Sequence, residues 1–253
     1  MVTRKSGWSL GFICLVGIFS TPVRAANSIN EDFNSSQASP LLNIPLNYNW
    51  GPRASPPGSI YRTTKGHSGR NYVITTASDY NSVDFRYDLD FTMNGRDGMG
   101  LLFMGIGSGQ PNSAFFQEPD YSAYFLVWPS EKVFFDVASG WDLTTGPQGA
   151  IPIETGFGPA PRDGQLARAR IEKIGNAIMF SYQMVYAGGP YVPDYTISKN
   201  ITSLPFLDGT NSHLFFGTDS DSSTVDNLTI TMLPEPVSLS FFGLVAVLLS
   251  RRR

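Results

Sequence analysis

One cysteine, two histidines and a charged fraction of only 15% leave this 253-residue chain with few of the groups that most protein chemistry needs. Cys14 lies in an apolar stretch, Leu10 to Phe19, preceded by Arg4 and Lys5. That order reads as the core and positive region of a secretory leader. Val23 and Ala25 supply the small residues before a cleavage site, so processing is expected after Ala25, with Ala26 the near alternative. A retained N-terminal anchor is the competing reading. A lipoprotein is excluded, because Phe12 and Ile13 stand before Cys14 where small residues are required. With the leader gone, no disulfide, thiolate nucleophile or thiolate metal site can form.

Histidine chemistry is equally thin. His67 and His213 have no second histidine at ligand spacing, which disfavours a histidine metal centre and makes each a surface or loop residue. No Gly-x-Ser-x-Gly nucleophile elbow occurs. Gly105 to Gly109 lacks the Lys-Ser or Lys-Thr of a phosphate loop and reads as a turn. Basic charge is also scarce: Ala26 to Leu233 carries 12 Lys and Arg against 20 Asp and Glu, a net charge of −8. Such a balance argues against nucleic acid as a partner, since phosphates must be met by a basic surface.

The far end of the chain is specific. Pro234-Glu235-Pro236 precedes an apolar run from Val237 to Ser250, and Arg251, Arg252 and Arg253 close the sequence. The run is shorter than the twenty or so residues of a stable transmembrane helix, which suits a transient anchor. Terminal arginines would hold its end on the cytoplasmic side. This arrangement resembles the PEP-CTERM sorting signal. The resemblance implies an apolar sorting helix, recognition and cleavage by an exosortase near Pro234 to Pro236, and a bacterium that makes exopolysaccharide. An ordinary single-span tail is the alternative.

Residues 1–25 are therefore expected to be a signal peptide, 26–233 one domain, and 234–253 a sorting signal with a short span. About 208 residues suffice for a single core. Gly, Pro, Asn and Ser are frequent and no long segment has helical period, which favours strands joined by turns. Val83 to Met93 alternates apolar residues with Asp84, Arg86, Asp88, Asp90 and Thr92, the period of a half-buried strand. Met99 to Met104 is expected to pair with it across a turn at Asn94 to Gly98. Tyr121 to Trp128 and Lys132 to Val137 form a second hairpin. Ala167 to Ile174 and Ala177 to Val185 form a third, around Gly175-Asn176 with positive backbone angles at the turn. His213 to Gly217 and Val225 to Met232 complete an antiparallel β-sandwich or jelly roll.

Arg170 to Ile178, Leu214 to Gly217 followed by Val225 to Ile230, and the opening Glu31-Asp32-Phe33-Asn34 resemble concanavalin A-like jelly rolls. In such domains the first and last strands run side by side. That would bring Asp32 near Asp226 and allow hard oxygen ligands to gather a structural calcium, with Asp219, Asp221 and Asn227 as contributors. Glycanases on this fold need two carboxylates across the scissile bond. Their Glu-x-Asp-x-x-Glu pattern is absent, and Asp84, Asp88 and Asp90 read as a solvated sheet face. Aromatic residues offer a different chemistry, stacking on sugar rings through their apolar faces. Trp128 beside its turn, Trp141 in the Gly140 to Gly149 loop and Tyr121 are the leading ligand-binding candidates, ahead of Tyr124, Tyr191 and Tyr195. The expectation is an exported, surface or matrix protein that binds glycan or matrix without catalysis. A glycan-cleaving enzyme and a purely structural matrix component are the alternatives. Its partners would be the export machinery, an exosortase, the membrane before processing, and an extracellular polysaccharide.

Overall fold

The computed structural model describes residues 28–51, 58–63, 72–93, 102–108, 122–128, 132–138, 141–142, 146–147, 154–162, 164–200, 212–218 and 223–234. Within them the chain is built almost wholly of strands. In order these are β1 (Ile29–Glu31), β2 (Leu42–Asn43), β3 (Tyr48–Gly51), β4 (Ser59–Arg62), β5 (Val73–Thr75), β6 (Phe85–Met93), β7 (Leu102–Gly107), β8 (Ser122–Trp128) and β9 (Lys132–Ala138). Then follow β10 (Trp141–Asp142), β11 (Gly146–Pro147), β12 (Glu154–Gly158), β13 (Leu166–Ile174), β14 (Ala177–Gln183), β15 (Tyr195–Asn200), β16 (His213–Thr218) and β17 (Ser223–Met232). A 3-10 turn, Tyr80–Ser82, precedes β6.

Two antiparallel sheets face each other. The larger runs β15-β14-β13-β6-β17-β4-β3, with β1 also paired to β17; the other runs β12-β9-β8-β7-β16-β5-β2. Alternation explains the core between them. Phe85, Tyr87, Leu89, Phe91 and Met93 of β6 meet Leu102, Met104 and Ile106 of β7 and Leu214 and Phe216 of β16 in one buried cluster. The expected sandwich is therefore present.

The hairpins at β8–β9 and β13–β14 have the expected registers, Trp128 opposite Lys132 and Ile174 opposite Ala177. At the second turn only Gly175 has a positive φ, +56°, so Asn176 does not share the left-handed conformation.

The expected pairing of β6 with β7 is overturned, because they lie in opposite sheets. Outward rows explain the choice. Those of β6 are acidic and find the arginines of β13 opposite them, Asp88 to Arg170 and Asp90 to Arg168. Gly105 and Gly107 are likewise strand residues of β7 rather than a turn. Trp141 belongs to a short two-stranded ladder with Pro147 instead of an open loop.

The first and last strands do run together, Ile29 opposite Ile230 and Glu31 opposite Leu228. Glu31 then locks the start of the fold, its Oε1 accepting the Phe33 N–H at 2.9 Å and its Oε2 the Ser39 N–H at 2.6 Å. The leader and the residues from Glu235 onward lie outside the described residues. No helix among the described residues is long and apolar enough to cross a membrane.

Candidate ligand-binding face

The outward side of the seven-stranded sheet carries a second apolar cluster, separate from the sandwich core: Tyr72, Ile74, Phe103, Tyr124 and Phe215. Strand alternation sends these residues away from the core, since Val73, Met104, Ala123 and Phe216 beside them face inward. Tyr72 and Phe103 both lean on Phe215, with ring centroids 5.8 and 6.2 Å away. Two glycines let the rings lie low. A Cβ on Gly217 would stand 2.2 Å from the Phe103 ring, and one on Gly105 would stand 2.8 Å from Phe215 Cζ and 2.3 Å from the Ala123 carbonyl oxygen. Every member of the cluster is buried. It is a rigid floor rather than an open stacking surface, and contact with a ligand would fall to residues at its rim.

Trp128 ends β8 four positions beyond Tyr124, opposite Lys132. Trp141 follows three residues after Ala138, which pairs with Ser122 at the other end of β8. The register therefore sends the two tryptophans to opposite ends of the sheet. Tyr121 lies outside the described residues. Tyr191 and Tyr195 are both engaged, Tyr191 over Arg170 and Tyr195 stacked on Tyr182 at 5.1 Å. His213 opens β16 with Nδ1 2.8 Å from the Thr75 carbonyl oxygen, a strand position instead of a loop. His67 lies outside the described residues.

The outward side of the larger sheet is not the solvated acidic face that the sequence suggested. Asp90 and Asp88 are 1% and 8% exposed, each held by a two-pronged arginine. Arg168 Nε and Nη2 donate to Asp90 Oδ1 and Oδ2 at 2.5 and 2.9 Å; Arg170 donates to Asp88 at 2.6 and 3.2 Å. Tyr186 and Tyr191 then cap the guanidinium groups, with ring centroids 3.8 and 4.1 Å away. The capping segment is pinned at both ends, Tyr186 N–H to the Leu166 carbonyl and Asp194 N–H to that of Tyr182. Burial pushes the Tyr191 phenol up to about 12, so it remains a donor to Ser181 Oγ at 2.8 Å. These aspartates are committed to charge pairing, which leaves neither of them a free acid or base.

Asp32 and Asp226 do come within electrostatic reach. Burial raises the Asp226 carboxyl, the Asn227 N–H partly relieves it, and the negative charges of Asp90 and Asp32 raise it further. Asp32 is held below its ordinary value by Asn34, whose backbone N–H donates to Oδ1 at 3.0 Å. A bulge after Asp226 holds Asn227 in a left-handed conformation, φ +46°, with its Nδ2 donating to Asp90 Oδ2 at 3.1 Å. Calcium wants six to eight oxygens. Among the described residues no group of three or more Asp, Glu, His or Cys could hold a metal ion, and Asp219 and Asp221 lie outside them. The two carboxylates alone do not complete a calcium site.

No family model matches the sequence, and no curated protein matches it. Solved structures match it in shape. The exoplasmic/lumenal domain of VIP36 in its Ca2+/Man3GlcNAc-bound form gives a TM-score of 0.54 at 10% identity, over 85% of this chain and 92% of that one. Its metal-free form gives 0.52 at 10% identity, over 82% and 92%. The acidic lectin of winged bean, complexed with methyl-α-D-galactose, gives 0.50 at 12% identity, over 82% and 99%. At such identities the likeness is one of fold.

Proposed function

We propose that this chain is an exported surface or matrix protein whose sandwich binds glycan without cleaving it. The observation that carries the reading is the buried aromatic floor on the outward side of the seven-stranded sheet, a rigid apolar layer outside the sandwich core that can support ligand contacts at its rim. Trp128, at the end of β8, is the rim residue that a sugar ring would stack on. The fold shared with two sugar-binding proteins supports this assignment. Non-catalytic binding fits the larger sheet, where Asp88 and Asp90 are neutralised by arginines.

In this reading the leader ends at Ala25, and the tail from Pro234 is removed by an exosortase after brief anchoring in the membrane. A structural calcium is a second proposal, seated at Asp32 and Asp226 and completed by oxygens outside the described residues. The deciding experiment is a glycan array probed with the purified protein, alongside an assay for new reducing ends or unsaturated products. Binding without new ends supports the proposal. New ends would make the protein a glycan-cleaving enzyme, and no ligand together with self-association would make it a structural component. Mass measurement of the exported protein tests processing, and a species that retains Arg251 to Arg253 would count against it.

A further inference from the structure

The last strand leaves the sandwich with almost no slack. Met232 still pairs with Phe85, and the Leu233 N–H donates to the Asp84 carbonyl oxygen at 3.0 Å. Asp84 in turn accepts the Gly175 N–H at 2.7 Å, and buried Lys173 donates to the Val83 carbonyl at 3.1 Å. Leu233 is thus bound to the end of the sandwich formed by the β13–β14 turn. Only Pro234, Glu235 and Pro236 separate it from the apolar run beginning at Val237. Four residue steps reach at most about 14 Å, whatever path they take. Two prolines stiffen that short path further.

Register shows what lies at each end. Phe85 packs its ring on Tyr80, and the Tyr80 N–H reaches the Ser212 carbonyl, so the start of β16 belongs to the Leu233 end. Thr218 at the other end of β16 pairs with Leu102, and Leu102 pairs with Val127. Trp128 therefore lies at the end remote from Leu233. Leu166, eight strand steps from Ile174, also lies there, about 26 Å away along β13.

The two ends differ in character. Exposed residues at the Leu233 end include Ser82, Ile174, Gly175, Asn176, Ala177 and Asn200, all uncharged, with Ile174 56% exposed. The segment from Ala26 to Leu233 nevertheless carries a net charge of −8. Its acids Asp79 and Asp84 are half-buried, Asp84 beside Lys173, and the basic residue Lys199 adjoins Asn200 on β15, so this end can approach anionic headgroups at small electrostatic cost.

We propose that, while the tail is attached, the sandwich stands end-on upon the membrane, with the Gly175–Asn176 turn against the lipid headgroups and the Trp128 end pointing away. The proposal rests on the reading of Val237 to Ser250 as a membrane span. It adds to that reading an orientation, a lipid-facing surface and a ligand site held clear of the bilayer.

The test uses the full chain in a Cys14→Ser background, with a single fluorophore on Asn176→Cys or Leu166→Cys. The protein is placed in vesicles of phosphatidylethanolamine and phosphatidylglycerol containing a headgroup-nitroxide lipid. Both variants are exposed positions, so folding is preserved, and thermal unfolding checks it. The expected result is loss of fluorescence at position 176 and none at 166. A flexible glycine-serine insertion between Leu233 and Pro234 should restore the signal at 176. Equal quenching at both positions, or stronger quenching at 166, overturns the orientation alone. Failure of the chain to float with vesicles overturns the span and the orientation with it, and leaves glycan binding untouched.

Discussion

Arg168 grips Asp90 with two parallel hydrogen bonds while its outer face lies against Tyr186, so one guanidinium neutralises a buried acid and anchors the segment that covers it. Removing Arg168 strands a carboxylate that is 1% exposed. Loss of one partner of a buried pair costs about 3–5 kcal/mol. The Arg168 side chain keeps 20% exposure, so the lower end applies. Arg168→Ala should therefore lose about 3 kcal/mol in urea unfolding, and adding Asp90→Ala should recover part of it. A loss below about 1 kcal/mol would class the pair with ordinary surface bridges.

Gly217 is required by the ring that lies over it. Gly217→Ala forces Phe103, itself fully buried, to move, and overpacking of this kind costs about 1–3 kcal/mol. Phe103→Leu in the same chain should restore part of the melting temperature. Unchanged melting of the single variant would show that the floor is looser than its burial implies.

Glu31 satisfies two backbone N–H groups at the entry to the fold, one of them on buried Phe33. Hydrogen bonds to charged groups are worth about 1.5–3 kcal/mol each. Two such bonds come to about 3–6 kcal/mol, so Glu31→Ala should lower stability by at least about 3 kcal/mol, and Glu31→Gln by less, since one acceptor oxygen remains. Chemical denaturation of the three proteins checks the order.

Asp226 should give the opposite sign. Its carboxyl is raised in the fold above 3.8, so the protonated form is the one the fold favours. That contribution is fully present below the unfolded value and is lost as pH rises through the folded value. In chelator at neutral pH, Asp226→Asn should therefore melt above the wild type, and the gap should close as pH falls towards 3.8. Calcium should raise the wild-type melting temperature and leave Asp226→Asn unmoved. Identical wild-type melting in calcium and chelator would remove the ion from this site.

For the ligand, Trp128→Ala should weaken glycan binding about tenfold, or ~1.4 kcal/mol, with melting unchanged. Trp141→Ala should bind as the wild type does, because the register places it beyond the far end of β8. Equal losses from both would mean a site that the sheet alone does not define.

Much of the sandwich was legible because its strands alternate: the period of β6 announces a buried face, and Gly175 announces a turn. Which strand pairs with which was less legible, since β6 and β7 adjoin in sequence yet part into different sheets. That choice depends on matching Asp88 and Asp90 to arginines some 80 residues away, and alternation alone carries no such partner information. For the same reason, the aspartates looked solvated when read on their own strand. The aromatic floor was hidden because Phe103, Tyr124 and Phe215 come from three distant segments, and glycines that look like turn residues are what let the rings lie flat. A glycine alternating with aromatics inside an apolar run was the available signal.

The position of β17 also sets an order of events in time. It lies between β6 on one side and β1 and β4 on the other, so β1 has no sheet partner and the β3–β4 pair has no link to β6 until residues 225–230 are free to pair. Pairings of such long sequence separation make folding slow, because chain ends must meet before any contact rewards the search. A chain emerging N-terminus first from an export channel would remain open and protease-sensitive until its last strand arrived. With the tail as the membrane span proposed above, closure of the sandwich and arrival of the apolar run at the membrane would fall in the same moment, and a completed fold would be the timer for whatever acts on the tail.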